Sequence, residues 1–241
     1  GGITAPNGFL ASGIKAGLKK SSKADLALIL APAEAVCAGT FTESCIRASC
    51  VDISKEKIIN SEGKIRAVII NSGQANACTG KLGELDTLRA IKELVSRLQI
   101  KESEAIMCST GVIGTPIQMN KLINKLNDLI KKLDGDGGSE AAKAILTTDL
   151  VIKESSYETK IEGRSIRIGG MAKGSGMIHP NMATMLAFLT CDALVPYDQW
   201  RQLIQKTAQN SFNAISVDGD TSTNDSFIAF SAGEYIEEKH L

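Results

Sequence analysis

The chain has 241 residues, 43% hydrophobic and 22% charged, which suits one globular domain or slightly more. Lysine plus arginine and aspartate plus glutamate both number 27, and aromatics are only 4%, so the footprint of a nucleic-acid binder is missing. No apolar run approaches the roughly 18 residues of a membrane span, and no charged-then-apolar leader opens the sequence, so neither a span nor a leader is expected.

Residues 24–31, ADLALILA, form an apolar run of strand length. AVCAGTFT (35–42) and IRASCVDI (46–53) continue with small and β-branched residues, and all three are expected as the first strands of a sheet. RAVIINSG (66–73) predicts a further strand, leading into the small polar segment SGQANACTG (72–80), read as a tight connection. Leu85, Leu88, Ile91, Leu94, Val95 and Leu98 recur at three- and four-residue spacing and predict an amphipathic helix over 82–98. EAIMC (104–108) predicts a strand, STGVIG (109–114) a turn, and Pro116 to Leu133 a helix with Pro116 in its first turn. DGDGGS (134–139) ends that helix, and the short helix EAAKAIL leads into TTDL (147–150).

Residues 151–168 alternate polar and apolar on either side of EGRS, the pattern of a β-hairpin. Gly169 to Asn181 holds four glycines and a proline and reads as a loop, and Met182 to Leu194 reads as a buried strand. A helix starts at Pro196 and carries Trp200, Leu203 and Ile204, followed by the polar loop SVDGDTSTND (216–225) and the strand FIAFSAG. Strands and helices alternate without clear βαβ regularity, so the expected class is α/β, with mixed sheets layered against helices.

The six cysteines include no CxxC pair and there are only two histidines, so no metal site is expected and the cysteines read as reduced core residues. AKGSG lacks the spacing of a phosphate-binding loop. The position that draws attention is Thr184, at the junction of the glycine-rich loop and the following strand, where a scaffold can fix a hydroxyl beside open space. His179 lies five residues earlier, but no nucleophile-elbow motif accompanies it, and it reads as part of the loop. A threonine has another way to find a base. Cutting the Ala183–Thr184 bond would give Thr184 a free α-amine, which titrates near ~8 and can take the proton of its own hydroxyl. Ser109-Thr110-Gly111, read as a turn ahead of a helix, offers backbone donors for an oxyanion, with the Thr110 hydroxyl as an extra donor.

GMAKGSGMIHPNMATMLAFLTCDA closely resembles the cleavage-site segment of the bifunctional ornithine acetyltransferase / N-acetylglutamate synthase family of arginine biosynthesis. ITAPNGFLASGIKAGLK, INSGQANACTG, CSTGVIG, ILTTD and SVDGDTSTND resemble further blocks of that family, in its order, over residues 3–233. The resemblance implies an amino-terminal-nucleophile-like fold whose precursor cuts itself at Ala183–Thr184. Residues 1–183 would then be an α chain and 184–241 the start of a β chain within the same fold. It implies Thr184 as nucleophile, Thr110 and Gly111 as the oxyanion pair, and Thr147 and Lys173 as substrate contacts. It also implies N-acetylornithine and glutamate as substrates, acetyl-CoA as a candidate second donor and no bound cofactor. A cytoplasmic heterotetramer of two α and two β chains, without membrane or nucleic-acid partners, completes what it implies. Family members continue beyond position 241, so this chain is expected to be shortened at its carboxy end. Two alternatives accompany this reading: a self-cleaving aminopeptidase or amidase of similar architecture, and an uncut, inactive precursor that only binds metabolites.

Overall fold

The computed structural model describes residues 1–161, 163–176, 185–218, 220 and 222–235, with 234 and 235 described by backbone alone. The elements in chain order are β1 (Leu10–Ile14), β2 (Leu26–Leu30), β3 (Val36–Phe41), α1 (Ser49–Asn60), β4 (Ala67–Gln74), α2 (Gly80–Leu98) and β5 (Ala105–Val112). They continue as α3 (Met119–Lys131), α4 (Gly138–Ala144), β6 (Lys153–Ile161), β7 (Arg164–Lys173), β8 (Leu186–Leu194), α5 (Tyr197–Asn210) and β9 (Ser226–Tyr235). Two mixed sheets result, one in the order β1-β2-β4-β5 and the other β3-β9-β8-β7-β6.

Side-chain parity shows how the sheets are stacked. Ala27 and Ile29 of β2, Val68 and Ile70 of β4, and Ile106 and Cys108 of β5 share one core with Met171, Leu186, Phe188, Ile228 and Phe230 of the other sheet. The alternate residues Leu26, Leu28, Ala67, Ile69, Ala105 and Met107 pack instead against α1, α2 and α3. On the far side Ala187, Cys191, Phe227 and Ala229 pack against Trp200, Ile204 and Ala208 of α5. The order is therefore helices, sheet, sheet, helix, and the central strands are apolar on both faces. That explains why ADLALILA and RAVII read as continuous runs rather than as alternating patterns.

Both sheets contain a parallel pair crossed by a helix. β4 pairs with β5 through α2, and β8 pairs with β9 through α5. The sequence had suggested no such βαβ units; their helices differ too much in length and composition to stand out as a repeat. Residues 46–53, expected as strand, enter α1 instead. Cys50, Val51, Ser54 and Ile58 are buried at helical spacing, and the Ser54 hydroxyl donates to the Met107 carbonyl at 2.9 Å. Helix α3 starts at Met119, not at Pro116. The residues between bring Gln118 back to donate to the Leu18 carbonyl at 3.3 Å. Helix α5 behind Pro196 and β9 occur where expected, and so does the hairpin β6–β7, but β7 runs on to Lys173, so residues 169–173, expected as the start of a loop, are strand paired with β6 and β8. β8 begins at Leu186, and residues 182–184 of the expected strand lie outside the described residues. Cys37, Cys50, Cys108 and Cys191 are buried as expected, whereas Cys45 and Cys78 are exposed.

Candidate functional site

A cleft of about 960 Å³ opens at one end of the sandwich, and it brings together Thr110, Gly111, Thr147 and Lys173. Parity accounts for two of them. Thr110 continues the inward face of Ile106 and Cys108, and Lys173 continues that of Met171, so both enter the inter-sheet layer at strand ends. Thr147 comes from the bend after α4. Ala183, Thr184 and His179 lie outside the described residues. The residue after Thr184 in the chain is placed: the Met185 N–H donates to Asp225 Oδ1 at 2.6 Å. Leu186, next again, sits opposite Lys173 across the antiparallel β7–β8 ladder.

Thr110 and Gly111 are not in a turn before a helix. β5 runs through Val112, whose carbonyl accepts the Ala75 N–H at 2.9 Å. The contribution of a helix amino terminus to an oxyanion therefore falls away, and donors at a strand end remain. Gly111 lies opposite Gly73 at φ +130°, and a Cβ there would fall 2.3 Å from the Gly73 carbonyl carbon. Asn224 secures this strand end from the other sheet, its amide donating to the Ala75 carbonyl at 2.6 Å and the Ser109 carbonyl at 2.8 Å.

The electrostatics are those of a buried charge cluster. Lys173 is 2% exposed. Burial lowers its pKa to about 8, against the pull of Asp149 and Asp225. Burial raises Asp225 to about 7, against the Met185 N–H, the Ser222 hydroxyl and the Lys173 charge. For Asp149 burial also works upward, but Lys153, the Gly174 N–H at 2.8 Å and the Lys173 charge together hold it below the usual carboxylate range. Lys19, on the cleft wall, donates to the carbonyls of Ala24 at 2.8 Å and Leu146 at 2.6 Å, and burial brings it to about 8. Its loop is shaped by the fully buried Asp25, which accepts from the N–H groups of Ala16, Leu18 and Lys19.

Read from its residues alone, Lys173 looks like a solvated loop charge; the structure buries it. Asp149, Asn224 and Asp225 were not singled out, although they close the TTD and STND blocks. The signal available was an acidic or amide side chain at the edge of a small-polar segment, which is weak by itself.

A family model described as the ArgJ family matches residues 10–241. The chain belongs to the ArgJ family. It is 58% identical over 241 residues to the arginine biosynthesis bifunctional protein ArgJ of a Prochlorococcus marinus strain, covering all of this chain and 58% of that protein. It is 51% identical over 234 residues to the protein of the same name from Synechocystis sp., covering 97% and 56%. This ArgJ chain thus spans well under two thirds of the length of the curated relatives it matches. Among solved structures, the Bacillus halodurans bifunctional protein argJ aligns with a TM-score of 0.69 at 39% identity, over 76% of this chain and 95% of that one. Ornithine acetyltransferase from Mycobacterium tuberculosis, crystallised with ornithine, aligns with a TM-score of 0.67 at 36% identity, over 77% and 96%. An l-aminopeptidase d-ala-esterase/amidase from Ochrobactrum anthropi, described as a variant of the ntn hydrolase fold, aligns over 95% of this chain with a TM-score of 0.56 at 15% identity, a likeness of fold alone. Among the described residues no helix is long and apolar enough to cross a membrane.

Proposed function

We propose that this chain carries the acyl-transfer centre of a glutamate N-acetyltransferase, moving acetyl from N-acetylornithine to glutamate on Thr184 after self-cleavage at Ala183–Thr184. The observation that carries the reading is the cleft. It gathers Thr110, Gly111, Thr147 and Lys173 at the root of β8, a strand that begins two residues after Thr184.

In the first stage the Thr184 hydroxyl attacks the Ala183 carbonyl, the peptide C–N bond breaks to leave an ester and a free Thr184 amine, and water then hydrolyses the ester to the Ala183 carboxylate and the Thr184 hydroxyl. In the second, Thr184 attacks the acetyl carbonyl of N-acetylornithine, and its own amine takes the hydroxyl proton and passes it to the departing ornithine amine. The amine of glutamate then attacks the acetyl-threonine ester and restores the hydroxyl. This is ping-pong acyl transfer. Each tetrahedral oxyanion would be met by the Thr110 hydroxyl and the Gly111 N–H, donors held fixed by the Asn224 anchor, and one such donor is worth about 3–4 kcal/mol. Lys173, withdrawn from bulk water, meets the substrate carboxylate, and Thr147 borders the same space. Acetyl-CoA serves as a second donor in this reading, no bound cofactor is needed, and the mature protein is a cytoplasmic assembly of two α and two β chains.

Incubating the protein with N-acetylornithine, with and without glutamate, tests the assignment. Glutamate-dependent formation of N-acetylglutamate is the expected result. Acetate release that ignores glutamate would show a hydrolase instead.

A further inference from the structure

Asp225 is fully buried and has no task in the mechanism above. It stands where the SVDGDTSTND loop meets β9, and this junction is held from three directions. Asn224 is tied to Ala75 and Ser109 of the facing sheet. The Asp225 carbonyl accepts the Thr42 N–H at 3.0 Å, just past the end of β3. Ser226 starts β9 opposite Leu186 of β8. From this fixed point two bonds grip a single residue: Asp225 Oδ1 accepts the Met185 N–H at 2.6 Å, and the Ser226 N–H donates to the Met185 carbonyl at 3.1 Å.

The Met185 N–H belongs to the peptide group that joins Thr184 to Met185. A peptide group is planar and stiff, so fixing its N–H restrains the whole group. Before cleavage a residue at position 184 is tethered on both sides. After cleavage it is a chain terminus, and termini lose order unless tied down. One peptide group then connects the nucleophile to the scaffold, and a carboxylate acceptor makes a shorter and stronger bond to it than a neutral one.

We infer that Asp225 is a positioning residue for Thr184: by holding the Met185 amide it restrains the peptide group that still joins Thr184 to the chain once the bond before it is cut. The inference rests on the reading of Thr184 as nucleophile. Lys173 lies near this arrangement: its charge acts on Asp225 and it pairs with Leu186 across the β7–β8 ladder. The strand that follows the nucleophile is thus held between an acid that fixes its first amide and the lysine assigned to substrate.

The test compares Asp225→Leu, Asp225→Asn and Thr184→Ala in the full 241-residue chain. Leucine keeps the approximate shape without an acceptor, and asparagine keeps an uncharged acceptor. Three quantities are read: melting temperature, exchange of the Met185 amide, and the rate at which an amino-terminal Thr184 appears by intact mass. The expected result is faster Met185 exchange and cleavage slowed about 100-fold in the leucine variant, the scale of a small misplacement of a reacting group. The asparagine variant is slower than wild type but within about tenfold of it, with a melting temperature no lower than wild type. Cleavage by the leucine variant at the wild-type rate, or an asparagine variant as slow as the leucine one, overturns the inference. If the leucine variant does not fold, the asparagine variant decides alone, since a rate equal to wild type overturns the proposal. A wild-type chain that stays whole, or a Thr184→Ala chain that is still cut, overturns the reading of Thr184 and this inference with it. A leucine variant that cuts normally beside a whole Thr184→Ala chain overturns the inference alone.

Discussion

Gly73 and Gly111 face each other across the parallel β4–β5 ladder, at φ +138° and +130°, with no room for a side chain on Gly111. A Cβ on Gly111 would meet the Gly73 carbonyl carbon at 2.3 Å and its oxygen at 2.5 Å, both backbone atoms that cannot step aside. This close approach lets β5 stay paired with β4 while its end turns Thr110 and Gly111 to the cleft.

Gly111→Ala is therefore expected to cost about 3 kcal/mol or more, combining backbone strain with overpacking, and to slow cleavage. Gly114→Ala is the control. It also has positive φ, +78°, but nothing lies within 4 Å, so only about 1–2 kcal/mol is expected. Urea unfolding of the two variants checks the ranking. Equal stability would contradict the account of the Gly73–Gly111 contact.

Asn224→Leu leaves the carbonyls of Ala75 and Ser109 without their buried donor. An unpaired buried group costs about 1–3 kcal/mol, so for the two carbonyls a loss of about 2–6 kcal/mol is expected. Asn224→Asp sets a carboxylate against the same two carbonyls. Its destabilisation is expected to be larger at pH 7 than at pH 4, where the carboxyl can donate. Denaturation at the two pH values reads this directly.

Asp225 and Lys173 make stability depend on pH in opposite senses. The Asp225 pKa rises on folding from 3.8 to about 7, so between those values the folded state holds a proton that the unfolded state has released, and stability falls as pH rises through that window. The Lys173 pKa falls on folding from 10.5 to about 8, so between about 8 and 10.5 the folded state has already lost its proton and stability rises again. The contribution of the pair is least favourable between about pH 7 and 8. Asp225→Asn is expected to remove the acid-side decline. Unfolding free energies of wild type and variant should converge near pH 4 and separate, with the variant higher, by pH 7. Parallel curves would refute the assignment.

Lys173→Met separates the two chemical stages. Self-cleavage has no free substrate carboxylate to hold, so it should continue. Transfer should lose about 100-fold in kcat/KM, the scale of removing one partner from a desolvated charge contact. Intact mass and an N-acetylglutamate assay on the same sample distinguish the stages.

Strands β2 and β4 were legible because sheets buried on both faces leave continuous apolar runs, as in ADLALILA and RAVII, whereas β1 was not expected. Helices α2 and α3 were legible from leucine spacing. Helix α1 was not, because its buried stripe is made of Cys50, Val51 and Ser54, residues that suit a strand equally well. The site was legible only in part. Thr110 and Gly111 look like a turn because the pairing that keeps them in a strand is made with Gly73 and Ala75, more than thirty residues away. Lys173 looks like a loop charge because it is the last residue of β7 and Gly174 follows it. Its burial comes from the other sheet closing over it, which no local pattern announces. Thr110, Gly111, Thr147 and Lys173 could be named beforehand through family resemblance, whereas Asp225 emerged from contacts spanning 40 residues of chain.

The central claim is that Thr184 is freed by cleavage and then carries the acetyl group. The direct measurement is intact mass of the purified protein, then of samples acid-quenched after N-acetylornithine alone and after N-acetylornithine followed by a glutamate chase. The account predicts pieces corresponding to residues 1–183 and 184–241, the second gaining the mass of one acetyl group on Thr184 and losing it when glutamate is added. A piece that never acquires acetyl, or an acetyl group that maps to a residue other than Thr184, would contradict it.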